Sequence, residues 1–208
     1  DRKAPPGQMD RTWVLDERFI NYLNEVFKRE GVLQAVSKYN KGGMLRVARG
    51  TLHIATPTDS YLQQFLYDCH TIPKTINMHI DPKEDVMKAM IYLNDVTDEN
   101  GAFKYVEKSN RWIHEDIQYI FAKSISTGSY CHTKESRAAV LSLPSYLRVS
   151  STFGRLLMDD DPAQKKILEQ ERTITSSDGN TMIFDTAGIH NGGLCSKGNR
   201  YALQILMR

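Results

Sequence analysis

Residues 87–106 read MKAMIYLNDVTDENGAFKYV, and this stretch carries the pattern that decides the fold class. Apolar and polar side chains alternate on both sides of its centre, over Met87–Val96 and Ala102–Lys108, with the period of a half-buried β-strand. The intervening Thr97–Gly101 ends in Asn-Gly, a pair typical of tight turns between antiparallel strands. We therefore expect two strands joined by a hairpin-type turn.

The same strand pattern recurs towards both ends of the chain. Period-two segments occupy Thr75–Asp81, Thr181–Asp185 and Arg200–Met207. The segment Met44–Thr56 alternates like strands with a turn near Gly50. These segments, together with the first two, supply enough strands for a two-sheet fold.

Helical spacing appears outside the strands. Apolar residues from Trp13 to Lys38 recur at helical intervals that Gly31 interrupts, which predicts one broken helix or two short ones. Asp59–His70 also has a helical pattern, and residues 113–170 are polar and partly helical. The order of elements predicts a single domain over residues 1–208, mainly β with helical additions, as in a β-sandwich or jelly roll. In it, residues 1–40 form a helical lead-in and residues 113–170 an insertion between two halves of a sheet.

Composition excludes several classes of function. Twenty-seven basic against 25 acidic residues leave a net charge of +2, which gives no support to a nucleic-acid or membrane-surface partner. No apolar run approaches the roughly 20 residues that a transmembrane helix needs, and the first residues do not resemble a signal peptide. Three scattered cysteines, Cys69, Cys131 and Cys195, favour a reducing, cytoplasmic compartment over a disulfide framework. Composition leaves the oligomeric state open.

A pair of metal-binding side chains lies in the strand-like segment INMHID, residues 76–81. Alternation places His79 and Asp81 on the same face, so both side chains point to one side of a rigid element. A second His-x-Asp pair, at His114 and Asp116, lies in a stretch of helical spacing. Residues two apart on a helix point in different directions, so we expect His114 to be structural.

The C-terminal segment TMIFDTAGIHNGGLCSKGNRYALQILMR, residues 181–208, supplies a second histidine and an arginine. His190 lies in a glycine-flanked turn between two strands. Arg200 opens the last strand, on the same face as Ala202 and Gln204, a position that suits a planar contact to a carboxylate. Two histidines and one carboxylate leave open coordination positions and form the facial triad of non-haem Fe(II) oxygenases.

On these motifs the chain resembles the phytanoyl-CoA dioxygenase family of Fe(II)/2-oxoglutarate oxygenases. The resemblance rests on HIDPKEDVMKAMIYLNDVTDENGAFKYVEKSN, residues 79–110, and AGIHNGGLCSKGNRYALQILMR, residues 187–208. It implies a double-stranded β-helix (a cupin-like jelly roll), with His79, Asp81 and His190 as iron ligands. It also implies that Arg200 binds the distal carboxylate of 2-oxoglutarate.

The implied activity is a dioxygenase that converts 2-oxoglutarate and O₂ to succinate and CO₂ while oxidising a small-molecule substrate. Asp81 implies a hydroxylase-type outcome, because the halogenases of the family replace this carboxylate with a small residue. The chain departs from the family at Glu107–Asn110, where a Pro-Gly-Ser-His-like turn is usual. It also departs at Gly192 and Ala202, where the family often has a hydroxyl side chain.

Alternatives remain open from the residues alone. A cupin-like metal-binding or sensor domain would keep the fold and the metal without oxygenase activity. A metal-dependent isomerase or hydrolase would not need 2-oxoglutarate. The face shared by Lys88, Met90, Tyr92 and Asn94 is either the pocket wall or the outer face of its strand, and substrate identity and reaction outcome are not encoded in these motifs.

Overall fold

The computed structural model describes residues 10–40, 43–57, 78, 81, 87–111, 162–177, 179–193 and 195–208. The strands are β1 (Asp10–Val14), β2 (Val47–Ala55), β3 (Met87–Tyr92), β4 (Phe103–Val106), β5 (Glu171–Ile174), β6 (Thr181–Asp185), β7 (His190–Gly192) and β8 (Arg200–Met207). The helices are α1 (Glu17–Arg29), α2 (Val32–Tyr39) and α3 (Pro162–Gln170), and Ser109–Arg111 form one 3₁₀ turn.

Two antiparallel sheets form the body of the protein. One has five strands in the order β1-β2-β8-β3-β6, and the other has three in the order β5-β4-β7. Neighbouring strands in both sheets are distant in sequence, so each sheet joins the N-terminal and C-terminal parts of the chain. Two antiparallel sheets with this crossed order form a jelly roll, and the fold class predicted from sequence is confirmed.

The N-terminal helices cover the outer face of the five-stranded sheet. The Asp16 side chain caps α1 by accepting a hydrogen bond from Phe19 N at 2.8 Å. Helix α1 buries Leu23 and Phe27, and the left-handed backbone of Gly31 (φ 73°) separates α1 from α2 as predicted. This gives the outer face of the sheet an apolar cover.

The predicted helix begins too early in the sequence. Trp13 lies in β1, which pairs antiparallel with β2 through the register Trp13 to Leu52, and α1 begins only after Asp16. Although Trp13 is at helical spacing from later apolar residues, the backbone pairing of β1 with β2 places it in a strand, and the cap at Asp16 starts the helix after it. The lead-in therefore contains an edge strand as well as two helices.

The predicted turn near Gly50 is also wrong, because β2 runs unbroken through this residue. Gly50 O accepts a hydrogen bond from Leu15 N at 2.9 Å. A Cβ atom on Gly50 would lie 2.7 Å from Leu15 Cδ1, so glycine here allows close packing and makes no turn. The irregularity of the strand lies instead between Val47 and Arg49, where its pairing with β8 shifts.

The two faces of the five-stranded sheet bury different clusters. The outer cluster joins the helices to Met87, Ala89, Ile205 and Met207 of the sheet. The inner cluster lies between the sheets and consists of Met90, Tyr92, Val96, Ala102, Phe103, Met182, Phe184 and Ala202. Met90 and Tyr92 thus face the interior, which resolves the orientation of β3 that the sequence left open. Lys88 shares this face by alternation.

The Thr97–Gly101 turn does not make a hairpin. Strand β3 pairs with β6 and β8, whereas β4 pairs with β5 and β7, so the turn carries the chain from one sheet to the other. Gly101 has φ +88°, and a Cβ there would lie 2.5 Å from Gly193 O. The Asn-Gly pair is explained by this left-handed residue and by the close approach of Gly193.

Tyr92 links the two sheets through its phenol. Its hydroxyl donates to Ile174 O at 3.0 Å and accepts from Phe103 N at 2.8 Å. The side chain is only 2% exposed, and burial raises the pKa of its hydroxyl. The phenol therefore stays protonated and holds β3 against the three-stranded sheet.

Several predictions fall on residues outside the described ranges. These are the helix Asp59–His70, most of the strand Thr75–Asp81 with His79, and the insertion up to residue 161, including His114. The described end of the insertion is helical, as α3, and leads directly into β5. None of the described helices combines the length and the apolar character that crossing a bilayer requires.

Candidate metal and cosubstrate site

Asp81 and His190 meet where β7 begins. Asp81 Oδ2 lies 3.4 Å from His190 Nε2, and the side chains are only 10% and 4% exposed. The backbone fixes Asp81 as well, because its N–H donates to Thr186 O at 3.0 Å. Two of the three predicted metal ligands are therefore brought together from segments more than a hundred residues apart.

The hydrogen bond at Nδ1 of His190 determines which nitrogen of the imidazole carries the hydrogen. His190 Nδ1 lies 2.7 Å from Gly188 O, and a carbonyl oxygen only accepts, so Nδ1 carries the hydrogen. In the neutral ring the lone pair is then on Nε2 and points towards Asp81 Oδ2. Metal-binding histidines commonly use their second nitrogen in this way to fix the ring.

The spacing of these two atoms fits a divalent metal ion. Ligand atoms about 2.1 Å from one ion and at right angles to each other are separated by about 3 Å. The 3.4 Å between Oδ2 and Nε2 is close to this value. Among the described residues no group of three His, Cys, Asp or Glu side chains comes together. His79 is not one of the described residues.

Aromatic side chains enclose the His190 ring. Its centroid lies 5.0 Å from Phe184, 5.7 Å from Phe103 and 6.5 Å from Tyr105, which is stacked at 20°. Burial raises the pKa of the Tyr105 hydroxyl far above its ordinary value. The rings keep water from the imidazole on this side and restrict its rotation.

Two side chains outside the predicted set hold the turn before His190. Ser109 is fully buried, and its Oγ accepts from Ile189 N at 2.7 Å while donating to Val106 O at 2.7 Å. Asp185 Oδ1 accepts from Ala187 N at 2.9 Å. The turn is therefore fixed immediately before the ligand residue.

Ser109 belongs to the turn Glu107–Asn110, where the chain departs from the family motif. Lys108 has φ 62°, a left-handed conformation that glycine normally supplies, at the place of the family's glycine. The serine of the motif is retained, and Asn110 donates to Asp185 Oδ2 at 2.8 Å. The departure in sequence thus keeps the turn, and the retained serine was the signal that could have identified Ser109.

Arg200 begins β8 and lies inside the fold. Its guanidinium group is next to Gly192, two residues after His190 on β7. It is 5% exposed, its Nη1 donates to Gly101 O, and within the described part of the chain its buried Nε has no hydrogen-bond partner. A Cβ on Gly192 would lie 3.2 Å from Arg200 Nη2. Glycine at 192, one of the departures from the family, therefore leaves room for the guanidinium group.

The orphaned Nε–H makes Arg200 suitable for an anion. A buried donor without a partner costs free energy, and a carboxylate would satisfy it. The arginine thus fits the distal carboxylate of 2-oxoglutarate.

Lys88 was not assigned to the site from the sequence, yet it contacts the Asp81 carboxylate. Lys88 Nζ donates to Asp81 Oδ2 at 2.6 Å, and the two side chains are 12% and 10% exposed. The signal for this contact was the alternation of β3, which places Lys88 on the inner face with Met90.

No family model and no curated protein matches the chain, whereas solved structures resemble it in fold. The non-haem alpha ketoglutarate dependent epimerase SnoN from nogalamycin biosynthesis is 12% identical, with a TM-score of 0.52 over 98% of this chain and 64% of that chain. SnoN in complex with Fe³⁺, alpha ketoglutarate and nogalamycin RO is 11% identical, with a TM-score of 0.51 over 98% and 65%. HygX from Streptomyces hygroscopicus, with nickel, 2-oxoglutarate and hygromycin B bound, is 15% identical, with a TM-score of 0.49 over 100% and 72%.

The chain is shorter than these proteins. It spans 64% of the SnoN chain and 59% of AviO1 from Streptomyces viridochromogenes Tue57. At 11–15% identity the likeness concerns the fold alone. Topology and comparison therefore agree that the chain has a jelly-roll fold, with Asp81, His190 and Arg200 on its interior.

Proposed function

We propose that the protein is a non-haem Fe(II)/2-oxoglutarate-dependent dioxygenase that hydroxylates a small molecule. One observation carries this proposal: His190 Nε2 lies 3.4 Å from Asp81 Oδ2 inside a jelly roll, while His190 Nδ1 contacts Gly188 O. Neighbours of the same fold that were solved with iron and alpha ketoglutarate support the general class. The identity of those neighbours' substrates is not carried over.

The proposed iron ligands are His79, Asp81 and His190. Asp81 and His190 supply one carboxylate oxygen and one imidazole nitrogen, the donor types that suit Fe(II). His79 is proposed as the third ligand from the His-x-Asp motif. When bound, the iron would supply the coupled conversion of 2-oxoglutarate and O₂ to succinate and CO₂ with oxidation of the substrate.

The residues of this chain contribute orientation. The Gly188 carbonyl and the rings of Phe103, Phe184 and Tyr105 hold the His190 imidazole with Nε2 facing Asp81. The proposed role of Arg200 is to bind the distal carboxylate of 2-oxoglutarate through its buried guanidinium. The hydroxylase outcome is proposed from Asp81, which keeps a carboxylate where the related halogenases lack one.

A small-molecule substrate is supported by a cavity beside the site. Its volume is about 700 Å³, within the range of about 300–1,000 Å³ usual for ligand pockets. Its lining includes Phe103, Tyr105 and Phe184, the three rings that enclose His190, together with Tyr39 and Asn110. The near-neutral charge gives no support to a nucleic-acid or membrane partner. We propose a cytoplasmic location on the basis of the three scattered cysteines.

Anaerobic binding of 2-oxoglutarate to the Fe(II)-loaded protein tests the proposal. We expect calorimetry to show binding that depends on Fe(II), and O₂ to release succinate afterwards. Arg200→Ala should weaken 2-oxoglutarate binding at least tenfold and leave metal binding intact, while Arg172→Ala, on an exposed arginine of β5, should change neither.

Three results separate the alternatives. Absence of Fe(II)-dependent 2-oxoglutarate binding would overturn the proposal. Binding of both groups without succinate in the presence of O₂ and a metabolite extract would favour a metal-binding or sensor domain. An activity that survives Arg200→Ala unchanged would favour an isomerase or hydrolase.

A further inference from the structure

Lys88 places a positive charge on the oxygen atom that would hold the metal. Its Nζ lies 2.6 Å from Asp81 Oδ2, and this is the same oxygen that approaches His190 Nε2 at 3.4 Å. The ammonium group and a metal ion would therefore approach one atom. The Lys88 side chain is not needed to hold β3 in its sheet, because the backbone of β3 pairs with β6 and β8.

We propose that Lys88 is a positioning residue whose ammonium group competes with a metal ion for Oδ2 of Asp81 and thereby weakens metal binding. This inference rests on the proposed function, because it takes Asp81 and His190 as metal ligands. A metal ion that binds Asp81 Oδ2 has to displace or repel the ammonium group of Lys88.

The burial of the pair makes this competition effective. The Lys88 and Asp81 side chains are 12% and 10% exposed, so solvent screens their charges little. A monovalent cation this close to a divalent one is strongly repelled in such surroundings.

A second ion pair in the same protein supplies a matched control. Lys104 Nζ lies 2.9 Å from Glu171 Oε1 between β4 and β5, with side chains 29% and 11% exposed. This ion pair links the neighbouring strands β4 and β5, and neither Lys104 nor Glu171 is among the proposed metal ligands. Its removal tests the general effect of losing a partly buried ion pair.

The experiment measures the affinity of the whole protein for Mn²⁺, an air-stable substitute for Fe(II), by calorimetry. We expect Lys88→Met to bind Mn²⁺ at least tenfold more tightly than the wild type, and Lys88→Arg, which keeps the charge, to stay within threefold. Lys104→Met should stay within twofold. Without metal, Lys88→Met should unfold at a lower temperature than the wild type, and saturating Mn²⁺ should narrow this difference.

The possible outcomes are distinct. Unchanged or weaker Mn²⁺ affinity of Lys88→Met, with wild-type binding intact, would overturn the role of Lys88 and leave the proposed function standing. Failure of the wild type to bind any divalent metal would overturn the proposed function itself. If Lys88→Met does not fold, Lys88→Gln decides instead, because it keeps a hydrogen-bond donor for Asp81 without the charge and should also bind Mn²⁺ more tightly.

Discussion

Replacing Ser109 by alanine should destabilise the fold far more than the loss of one hydroxyl usually does. Ser109 is fully buried, and its Oγ serves the backbone at two places, accepting from Ile189 N and donating to Val106 O. In Ser109→Ala the Ile189 N–H loses its acceptor inside the protein, which costs about 1–3 kcal/mol. With the weaker loss at the Val106 carbonyl, we expect the free energy of unfolding to fall by about 2–3 kcal/mol.

Urea denaturation followed by circular dichroism measures this change, and Ser196→Ala is the matched control. Ser196 Oγ donates to Glu99 O at 3.0 Å from an exposed position, so its removal should cost less than about 0.5 kcal/mol. Ser109→Ala should also weaken Mn²⁺ binding, because Ile189 directly precedes His190. Equal losses in the two variants would refute the reasoning, since the burial of the two hydroxyls is what distinguishes them.

Three further changes test the packing and electrostatics of the site. Gly188→Ala would place a Cβ on the phenol of Tyr105, so overpacking should cost about 1–3 kcal/mol and lower the metal affinity, both measurable by calorimetry. The pKa of Tyr105 is raised from 10.0 in the folded protein, so the unfolded chain loses this proton first and stability should fall as the pH rises above about 10. Tyr105→Phe should reduce that slope between pH 10 and 11.5 in denaturation titrations, and an unchanged slope would contradict the assignment. Asn24→Ala removes hydrogen bonds of 3.0 and 2.8 Å to the backbone of Val47 and should cost about 1–3 kcal/mol, with no change in metal affinity.

Alternation in the sequence predicted β3, β6 and β8, but not β7: His190 was expected in a turn, whereas it opens a strand that pairs with β4. Strands β3, β6 and β8 lie within the expected segments, and Arg200 is buried at the start of β8 as its face pattern indicated. The turn at Thr97–Gly101 was recognised, yet its role was not. Local turn chemistry is the same whether the two strands pair with each other or enter different sheets, so only the long-range ladders distinguish the cases.

The errors at the N-terminus have the same origin. Trp13 is at helical spacing from later apolar residues, but the ladder of β1 to β2 places it in a strand. The sequence predicts a turn at Gly50 because glycine often marks turns. In the structure the Leu15 side chain occupies the space that a side chain at position 50 would need. In both cases a partner distant in sequence decides the conformation, and a local pattern does not contain that partner.

Of the candidate site, three of the predicted residues can be located in the structure, while His79 lies outside the described residues. The family motifs indicated Asp81, His190 and Arg200, and the structure places all three in the interior. Lys88 was left open because alternation does not tell which face of β3 points to the interior, and nothing in the sequence pattern singled out Asp185. Their contacts depend on which side chains the fold brings opposite them, which residue type alone does not reveal.

The pairing of β4 with β5 has a consequence for how the amino-acid sequence between these strands can change during evolution. The two strands are neighbours in the sheet although residues 107–170 separate them along the chain, and Glu107 N donates to Gln170 O at 3.0 Å where the intervening segment leaves and returns. The two ends of that segment are therefore held together by the sheet and not by the segment itself. Because the entropy of closing a loop grows only slowly with its length, this segment can lengthen, shorten or be exchanged at little cost to the fold. Such changes would leave β7 and β8, the strands that carry His190 and Arg200, as they are.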